Sequence, residues 1–401
     1  MSSDHDVISR LRRRYQTQDL VFSLFDGVLG KALRKEEYGP LTSDIHPERI
    51  LIANVGRIGD VIISTAILPV LKAAFPAAEI AFLTGSWGRP VLEHHPLVAR
   101  AHYLDHWRLS GHSNLYRRAA EYRRDRGRLI EELQRCKYDV AVDLRAWMPN
   151  SVTLLAAAGI PVRIGYDRLG FGPLLTHRLP YRYDRRHELE HQLDLLGFLS
   201  VSAECASRAW PTLPPAAETA KAEVDSLLGN VKRFRVLHPT ASTPTRDWPL
   251  DLWKALAQEL REQQITPVLT GRGTRDTRLI EEIVQAVPGC VNACDKLSWS
   301  GLTELVRRSE LVYSVETSVG HVAAALRRPV VAIYGGMADP RHWKPFGANA
   351  VAVTNELPCH PCFNKKGCST RACLTGLPLA SVQLAAREAL QRAANMPLDR
   401  H

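Results

Sequence analysis

From residue 49 onward, short apolar runs alternate with stretches in which apolar residues return every three or four positions. The first run, RILIAN (49–54), is nearly all apolar, which is typical of a strand buried on both faces of a parallel sheet. In the stretch that follows, one stripe has helical spacing, at Val61, Thr65, Leu68, Leu71 and Phe75. The pattern therefore predicts a strand, a turn and a helix in succession.

The same pattern recurs along the rest of the chain. EIAFLTG and YDVAVDL are further predicted strands of the first half, and RIGYDR follows another apolar stretch. Alternation of strands with helices predicts parallel sheets covered by helices on both faces. The predicted fold class is therefore α/β, with two Rossmann-like domains. In the second half we predict strands at 234–239, 266–271, 311–315 and 329–335, and helices at about 250–263, 276–286, 301–308 and 319–327.

A chain of 401 residues is too long for one core and fits two domains. The polar, proline-bearing segment RAWPTLPPAAE (208–218) is the best candidate for the linker. We predict domains at 49–210 and 211–401, preceded by a helical extension at 1–48 that packs on the body or on a second subunit. The extension shows helical spacing at Val21, Leu24, Phe25, Val28, Leu29 and Leu33.

Composition narrows the classes of function. With 45% hydrophobic and 23% charged residues, the chain has the composition of a globular protein. Its formal net charge of +10 favours anionic partners, but no nucleic-acid-binding module is recognisable, so nucleic acid is excluded as a partner. No apolar run reaches the roughly 20 residues of a membrane-spanning helix, and the first residues do not resemble a secretory signal. We predict a cytoplasmic protein, and leave open peripheral membrane contact and homo-oligomers.

The turn after the first strand, from Asn54 to Gly59, reads NVGRIG. A dinucleotide-binding fingerprint has glycine at the first of these positions and an acidic residue at the end of the second strand, and both are missing here. Asp60 then stands at the start of the following helix. Two interpretations stay open for it: a helix cap, for which aspartate is well suited, or a general base that acts on a hydroxyl group.

Three turns of the second half carry groups that suit a nucleotide diphosphate. Hydroxyl groups and an arginine fork suit phosphate oxygens, and free N–H groups at a helix start bind diphosphate. Taken singly, each turn is equally compatible with ordinary loop capping, but their recurrence at one edge of one sheet favours nucleotide binding. The residues assigned to this function are Thr240, Ser242, Arg246, Gly271, Asp276, Glu316, Thr317, Ser318, Gly320 and His321.

Four cysteines are crowded near the C-terminus as C-x2-C-x5-C-x4-C, at Cys359, Cys362, Cys368 and Cys373. In a cytoplasmic protein, crowded thiols favour a tetrahedral metal site over disulfides. We predict a structural metal module at 359–373 with zinc as the default ion, although iron also accepts four thiolates. A reduced loop with incidental cysteines is the alternative.

The turns together match a known family. The chain resembles the heptosyltransferase-like glycosyltransferases, glycosyltransferase family 9, over roughly residues 49–395. The resemblance rests on ILIANVGRIGDVIISTAILPVLKAAFP, on LHPTASTPTRDWP and on VETSVGHVAAALRRPVVAIYGGMADPRHWKPFG. It implies a GT-B fold of two facing Rossmann-like domains. The C-terminal domain would hold a nucleotide sugar, most often ADP-heptose, and the N-terminal domain would hold the acceptor.

The resemblance also implies roles for particular residues. Asp60 matches the general base of the family, and Arg57 and Gly59 beside it would contact the acceptor. The implied reaction is a single inverting displacement that transfers a sugar, expected to be a heptose, to a hydroxyl group. The acceptor would be a glycan, a lipopolysaccharide core or a protein, and the basic charge of the chain favours a phosphorylated one. No cofactor is required for catalysis in this scheme.

Three positions depart from the family pattern. Arg246 stands where the family usually has lysine, which preserves the charge but changes the geometry. Glu316 replaces an aspartate, and Ser318 replaces a glycine that permits close approach of phosphate. These departures affect the identity of the donor more than the type of reaction. The alternatives that remain are an NAD-dependent oxidoreductase or epimerase and a non-catalytic nucleotide-sugar-binding protein.

Overall fold

The structure of the protein is a computed structural model that describes residues 3–32, 46–106, 115–168, 171–364 and 366–396. The chain forms two compact units. One unit comprises Leu11–Pro214, and the other combines Met1–Arg10 with Pro215–His401. The division between Pro214 and Pro215 falls inside the proline-bearing segment 208–218.

The N-terminal unit contains a six-stranded parallel sheet. Its strands are Arg49–Ala53 (β1), Glu79–Thr84 (β2), Arg100–Tyr103 (β3), Val140–Asp143 (β4), Val162–Asp167 (β5) and His177–Pro180 (β6). Their order in the sheet is β3-β2-β1-β4-β5-β6. Because the strands are parallel, the carboxyl ends of β1, β4, β5 and β6 follow one another along a single edge.

The helix predicted after the first turn is divided into two helices, Ile58–Ser64 and Ile67–Ala74. The helices before Pro215 are Asp4–Ala32 (α1), Ile58–Ser64 (α2), Ile67–Ala74 (α3), Arg89–Leu92 (α4), Leu115–Cys136 (α5), Val152–Ala157 (α6), Glu188–Leu196 (α7) and Ala203–Ala206 (α8). The stripe predicted after the first turn is shared by α2 and α3, and its apolar members Val61, Leu68 and Leu71 are buried. The break follows from Pro69, which has no N–H group to donate to the carbonyl of Thr65.

The C-terminal unit repeats the plan with a second six-stranded parallel sheet. Its strands are Phe234–His238 (β7), Thr266–Leu269 (β8), Val291–Asn292 (β9), Val312–Val315 (β10), Val330–Tyr334 (β11) and Ala350–Thr354 (β12). Their order is β12-β11-β10-β7-β8-β9. The ends of β11, β10, β7 and β8 are therefore neighbours along one edge.

Helices cover this second sheet and bury its largest side chains. They are Glu218–Leu228 (α9), Leu250–Glu262 (α10), Thr274–Ala286 (α11), Trp299–Arg308 (α12), Ser318–Ala325 (α13), Pro340–Trp343 (α14), Ala372–Thr375 (α15) and Leu379–Ala394 (α16). Trp248 and Trp253 pack edge to face in the core with ring centroids 5.3 Å apart. The α/β fold class predicted from the sequence is confirmed in both units.

The predicted N-terminal extension contains the long helix α1, whereas residues 33–45 lie outside the described residues. In the C-terminal unit, Arg341 donates to the carboxylate of Asp4 at 3.0 Å. In the N-terminal unit, the ring of Tyr15 packs on Trp147 with centroids 4.7 Å apart.

Three residues of the apolar stripe predicted for this extension are exposed on α1. Val21, Leu24 and Val28 keep 57%, 67% and 71% of their surface accessible, so these side chains do not pack on the described part of the chain. Leu33 lies outside the described residues. Across the described ranges, no helix combines the length and the apolar character that a membrane crossing requires.

Candidate active site

The turn after β1 is built around a buried amide. Asn54 is 1% exposed, and its side-chain nitrogen donates to Ser64 Oγ at 2.7 Å. Its Oδ1 accepts the N–H of Gly56 at 2.9 Å, which sets the course of the chain into α2. The residue that stands in place of the first glycine of a dinucleotide fingerprint therefore stabilises the turn itself.

Asp60 is the third residue of α2, and its carboxylate has two partners. Oδ2 accepts the backbone N–H of Arg57 at 2.8 Å and the Nη1 donor of Arg145 at 2.9 Å. Among the described residues, no donor reaches Oδ1, and 21% of the side chain is exposed. The helix-capping interpretation of Asp60 is thus satisfied by one oxygen, and the other oxygen is left to accept a proton.

Arg145 was not identified from the sequence, although it follows the predicted strand YDVAVDL directly. The loop after β4 holds the arginine in place, since its Nε donates to the carbonyl oxygens of Trp147 at 3.3 Å and Pro149 at 2.9 Å. The side chain is only 11% exposed. The guanidinium is therefore fixed beside Asp60 by backbone oxygens of its own loop.

A buried carboxylate at the end of β4 organises this loop. The two oxygens of Asp143 accept the backbone N–H groups of Arg145 and Ser151. Burial raises the pKa of Asp143 to about 6, and the amide donors and the charge of Arg145 limit that rise. Asp143 positions Arg145 and, through it, Asp60.

Gly56 leaves the space that this ion pair occupies. A Cβ atom at this position would overlap Arg145 Nη1 and Asp60 Oδ2. We expect Gly56→Ala to displace the pair and to lower the rate of the catalysed reaction by about 10²-fold, since a displacement near 1 Å has that effect. Overpacking would also lower the free energy of unfolding by about 1–3 kcal/mol.

The matched control for this prediction is Gly127→Ala in α5, where an added Cβ meets nothing within 4 Å. Alanine there should leave the rate unchanged and raise stability by about 0.5–1 kcal/mol. Turnover and urea unfolding of both variants are the measurements. Normal turnover of Gly56→Ala would show that the placement of the pair does not matter for catalysis.

The two residues predicted to contact an acceptor lie beside Asp60. Arg57 caps α2 in an extended conformation and is exposed, whereas Gly59 lies in the first turn of the helix and is partly exposed. The side chain of Arg57 can therefore reach a ligand at this edge of the sheet.

In the C-terminal unit, the turn after β7 carries three of the predicted binding residues. Thr240 is buried, Ser242 is exposed, and the side chain of Arg246 is 24% exposed. This turn is fastened by Asp247, which accepts the N–H of Ala241 at 3.1 Å and forms an ion pair with Arg275. Neither member of that ion pair was identified from the sequence, because they come from different turns.

The turn after β10 meets the turn after β7. Glu316 Oε1 lies 3.5 Å from Arg246 Nη2, so the two predicted residues form an ion pair. Thr317 caps α13, and its hydroxyl group bonds to Ser314 Oγ at 2.8 Å. Ser318, Gly320 and His321 lie in the first turn of α13, where backbone N–H groups have no partner within the helix.

The turn after β8 is closely packed around its glycine. A Cβ atom on Gly271 would lie 2.8 Å from Cβ of Asp276, whose Oδ2 accepts the N–H of Arg272 at 2.9 Å. Near it, His238 is half-buried and bonds to Thr270 Oγ1 at 2.9 Å. Burial lowers the pKa of His238 to about 4, so this imidazole is neutral near pH 7.

The cysteine segment packs against the loop that follows β11. Cys373 Sγ accepts the N–H of Gly336 at 3.3 Å, and Cys362 N–H donates to the carbonyl of Gly336 at 2.7 Å. Within the described residues, no group of three or more His, Cys, Asp or Glu side chains is arranged to hold a metal ion. The metal module predicted at Cys359, Cys362, Cys368 and Cys373 is therefore not supported: the four cysteines form no disulfides, and the first three of them are exposed.

Comparison with known proteins decides the class of this chain. The profile of glycosyltransferase family 9 (heptosyltransferase) matches residues 126–372. The chain belongs to this family. Lipopolysaccharide heptosyltransferase 3 of Escherichia coli is 25% identical over 301 residues, which cover 73% of this chain and 85% of that protein.

Two solved structures are similar to this family 9 chain over most of its length. ADP-heptose lipopolysaccharide heptosyltransferase II of E. coli has a TM-score of 0.67 at 22% identity, covering 86% of this chain and 99% of that one. E. coli heptosyltransferase WaaC, solved with ADP-2-deoxy-2-fluoro heptose, has a TM-score of 0.63 at 20% identity, with coverages of 85% and 99%. The predicted GT-B fold is confirmed by these similarities.

Membership in family 9 also answers the question of enzyme class. The protein is a glycosyltransferase of the heptosyltransferase type, as the resemblance of its turns implied. The alternative of an NAD-dependent oxidoreductase or epimerase is set aside. This agrees with the missing glycine of the first turn and the missing acidic residue at the end of the second strand.

Proposed function

We propose that this glycosyltransferase transfers a heptose from ADP-heptose to a hydroxyl group of a lipopolysaccharide core, with inversion at the anomeric carbon. The E. coli relative named above acts on lipopolysaccharide, and the WaaC structure holds an analogue of ADP-heptose. The observation that carries the proposal is the carboxylate of Asp60. One of its oxygens is fixed by Arg57 and Arg145, and the other is available to a substrate.

In the proposed reaction, the acceptor hydroxyl gives its proton to Oδ1 of Asp60 while its oxygen attacks the anomeric carbon. A new C–O bond forms on one face as the bond to the β-phosphate oxygen breaks on the other, and ADP departs with the bonding electrons. This single displacement inverts the configuration, and all atoms and charges are accounted for without a further reactant.

The C-terminal unit would stabilise the departing ADP. Arg246 can donate to the diphosphate from its position beside Glu316, and the N–H groups at the start of α13 can do so near Thr317 and Ser318. Fixed donors aimed at charge that develops in the transition state are usually the largest contribution to catalysis. Glu316 orients the arginine, and Asp276 lies within a turn that can contact the ribose or the base.

The experiment that tests the proposal is a transfer assay with a lipopolysaccharide core as the acceptor. The donors are ADP-heptose, UDP-glucose and GDP-mannose, and the product is analysed by mass spectrometry and by NMR of the new anomeric proton. We expect a mass gain of one heptose residue with ADP-heptose alone, and inverted configuration. A protein that binds ADP-heptose without turning it over would instead support a non-catalytic role, and retained configuration would exclude the single displacement.

The location of this reaction remains a prediction. A cytoplasmic enzyme would meet both a soluble nucleotide sugar and an acceptor at a membrane surface, which agrees with the net charge of +10. Homo-oligomers and peripheral membrane contact remain part of the proposal as well.

A further inference from the structure

A cavity lies in the N-terminal unit beside the carboxyl ends of β5 and β6. Its volume is about 450 Å³, within the range of small-molecule sites. One wall is α1, which contributes Ser23, Asp26 and Gly27 from a single face of the helix. The other walls come from the carboxyl ends of β5 and β6, with Asp167, Arg168, Pro173, Arg178, Pro180, Tyr181 and Tyr183. The cavity therefore opens on the same sheet edge as Asp60.

The cavity is connected to Asp60 by a continuous set of contacts. Arg168 Nη1 donates to the carbonyl of Ala146 at 2.6 Å, directly next to Arg145 in the chain. The guanidinium of Arg168 also stacks on Trp147 at 4.2 Å, and the Trp147 carbonyl accepts from Arg145 Nε. The loop after β4 thus contacts the proposed base on one side and the wall of the cavity on the other.

The charges around the cavity balance one another. It is lined by two carboxylates and two guanidinium groups, and Arg178 pairs with Asp167 at 3.3 Å. Burial raises the pKa of Asp26, and the charge of Asp167 raises it further, although the backbone amides of Phe171 and Gly172 oppose the rise. Because the two carboxylates offset the two guanidinium groups, the cavity offers no net positive charge to attract a phosphate group.

The lining instead suits a ligand whose hydroxyl groups both donate and accept hydrogen bonds. Carboxylates accept from hydroxyl groups, guanidinium groups donate to them, and the rings of Tyr181 and Tyr183 offer apolar faces to C–H groups. One polar atom of the lining, the hydroxyl of Tyr181, is shielded from solvent and has no partner among the described residues. Unsatisfied groups of this kind call for a partner.

In the wall formed by the residues after β5, the carboxylate of Asp167 lies close against the backbone of Gly172. A Cβ atom on Gly172 would overlap Oδ1 of Asp167, so glycine lets the carboxylate lie against the backbone. Phe171, next to it, has a φ of 72°, in the left-handed region that side chains rarely adopt. Asp167 lies at the rim of the cavity, and its side chain keeps 35% of its surface accessible.

We propose that this cavity binds an uncharged sugar residue of the acceptor glycan, at a distance from the hydroxyl group that Asp60 deprotonates. The inference rests on the proposed transfer to a glycan acceptor, and it adds a specificity site in which α1 takes part. The helix lies outside residues 126–372, the part of the chain matched by the family profile. The cavity prefers an uncharged sugar residue even where another sugar residue of the acceptor carries phosphate.

Binding can be tested without transfer, by saturation-transfer NMR on the full chain. The probes are the methyl glycoside of heptose, the phosphate ester of that glycoside, and inorganic phosphate. We expect saturable binding of the uncharged glycoside, at least about tenfold tighter than that of its phosphate ester. Preference for the ester, binding of inorganic phosphate at the same site, or no binding of the glycoside would each overturn the proposal.

Two variants locate the binding. Ser23→Trp fills the cavity from α1 without removing any contact of the wall, and Asp26→Asn removes one carboxylate while keeping its shape. Both should weaken binding of the glycoside at least about tenfold and leave the affinity for ADP unchanged. Asp251→Asn, at a side chain that is 94% exposed, and Thr17→Ala, at an exposed position of α1, are the controls and should bind as the unaltered protein does.

The outcomes separate this proposal from the proposed function. Loss of glycoside binding in Ser23→Trp, with an unchanged melting temperature, supports the cavity even if no heptose transfer is detected. Transfer of heptose to the lipopolysaccharide core, together with unchanged glycoside binding in Ser23→Trp, would overturn the cavity and leave the reaction intact. If Asp26→Asn unfolds, Ser23→Trp alone decides whether the glycoside binds in the cavity.

Discussion

Replacing Asp60 by asparagine is expected to lower kcat for heptose transfer by about 10²–10⁴-fold, the range that general base catalysis contributes. Asparagine keeps the shape of the side chain and is itself a good helix cap, so it can still accept the N–H of Arg57. It cannot take a proton from an acceptor hydroxyl. The affinity for ADP should not change, because the proposed diphosphate contacts belong to the C-terminal unit.

This variant also separates the two interpretations of Asp60. If the residue only caps α2, Asp60→Asn should transfer heptose at nearly the normal rate. Asp105→Asn is the matched control, since that carboxylate also accepts a backbone N–H, from Ser86 at 2.6 Å, but lies in a different turn. Initial rates of ADP release, isothermal titration with ADP and the melting temperature are the measurements. Loss of activity in both variants would indicate a general effect of turn structure.

Replacing Arg246 by alanine is expected to lower kcat/KM by about 10²–10³-fold, as does removal of a donor that stabilises charge in a transition state. The guanidinium lies 3.5 Å from Glu316, so its removal also leaves a carboxylate without that partner near the proposed diphosphate. Like charges repel, and we therefore expect the affinity for ADP to fall as well. This loss of ADP affinity distinguishes Arg246→Ala from Asp60→Asn.

Two further variants serve as controls for the prediction on Arg246. Arg246→Lys keeps the charge but cannot form two parallel hydrogen bonds, so it should recover only part of the activity. Arg233→Ala removes a surface arginine that pairs with Glu310 and is 60% exposed, and it should be silent. If isothermal titration shows that Arg246→Ala binds ADP with unchanged affinity, the arginine stabilises the turn after β7 and does not contact the donor.

The limits of prediction from sequence are visible in the two sheets. The seven strands predicted from apolar runs, β1, β2, β4, β7, β8, β10 and β11, all lie inside a sheet, where both faces are covered. Of the other five strands, β3, β6, β9 and β12 are the four edge strands, and β5, which contains RIGYD, lies between β4 and β6. Edge strands tolerate polar residues and proline, as His177–Pro180 shows, so the apolar signal is weak there, whereas the edge strand β12 (AVAVT) is apolar.

The site shows a similar division. Asp60, Arg246 and Glu316 could be singled out because each closely follows an internal strand, and turns at the carboxyl ends of parallel strands carry function. Arg145 was missed although it follows β4 in the same way, and attention to the turn after that strand would have found it. Asp143 could not be distinguished from an ordinary strand residue until its burial was known.

The sequence by itself determined the alternation of strands and helices, the internal strands and the turns that carry chemistry, because these depend on neighbours a few positions away. The tertiary structure alone decided that Arg145 pairs with Asp60 across 85 positions of the chain and that Glu316 pairs with Arg246. It also decided that the described cysteines are not arranged as a group of metal ligands. The physical reason is that such pairs depend on which strands lie side by side. β1 lies beside β4, and β7 lies beside β10, and local spacing along the chain carries no record of either order.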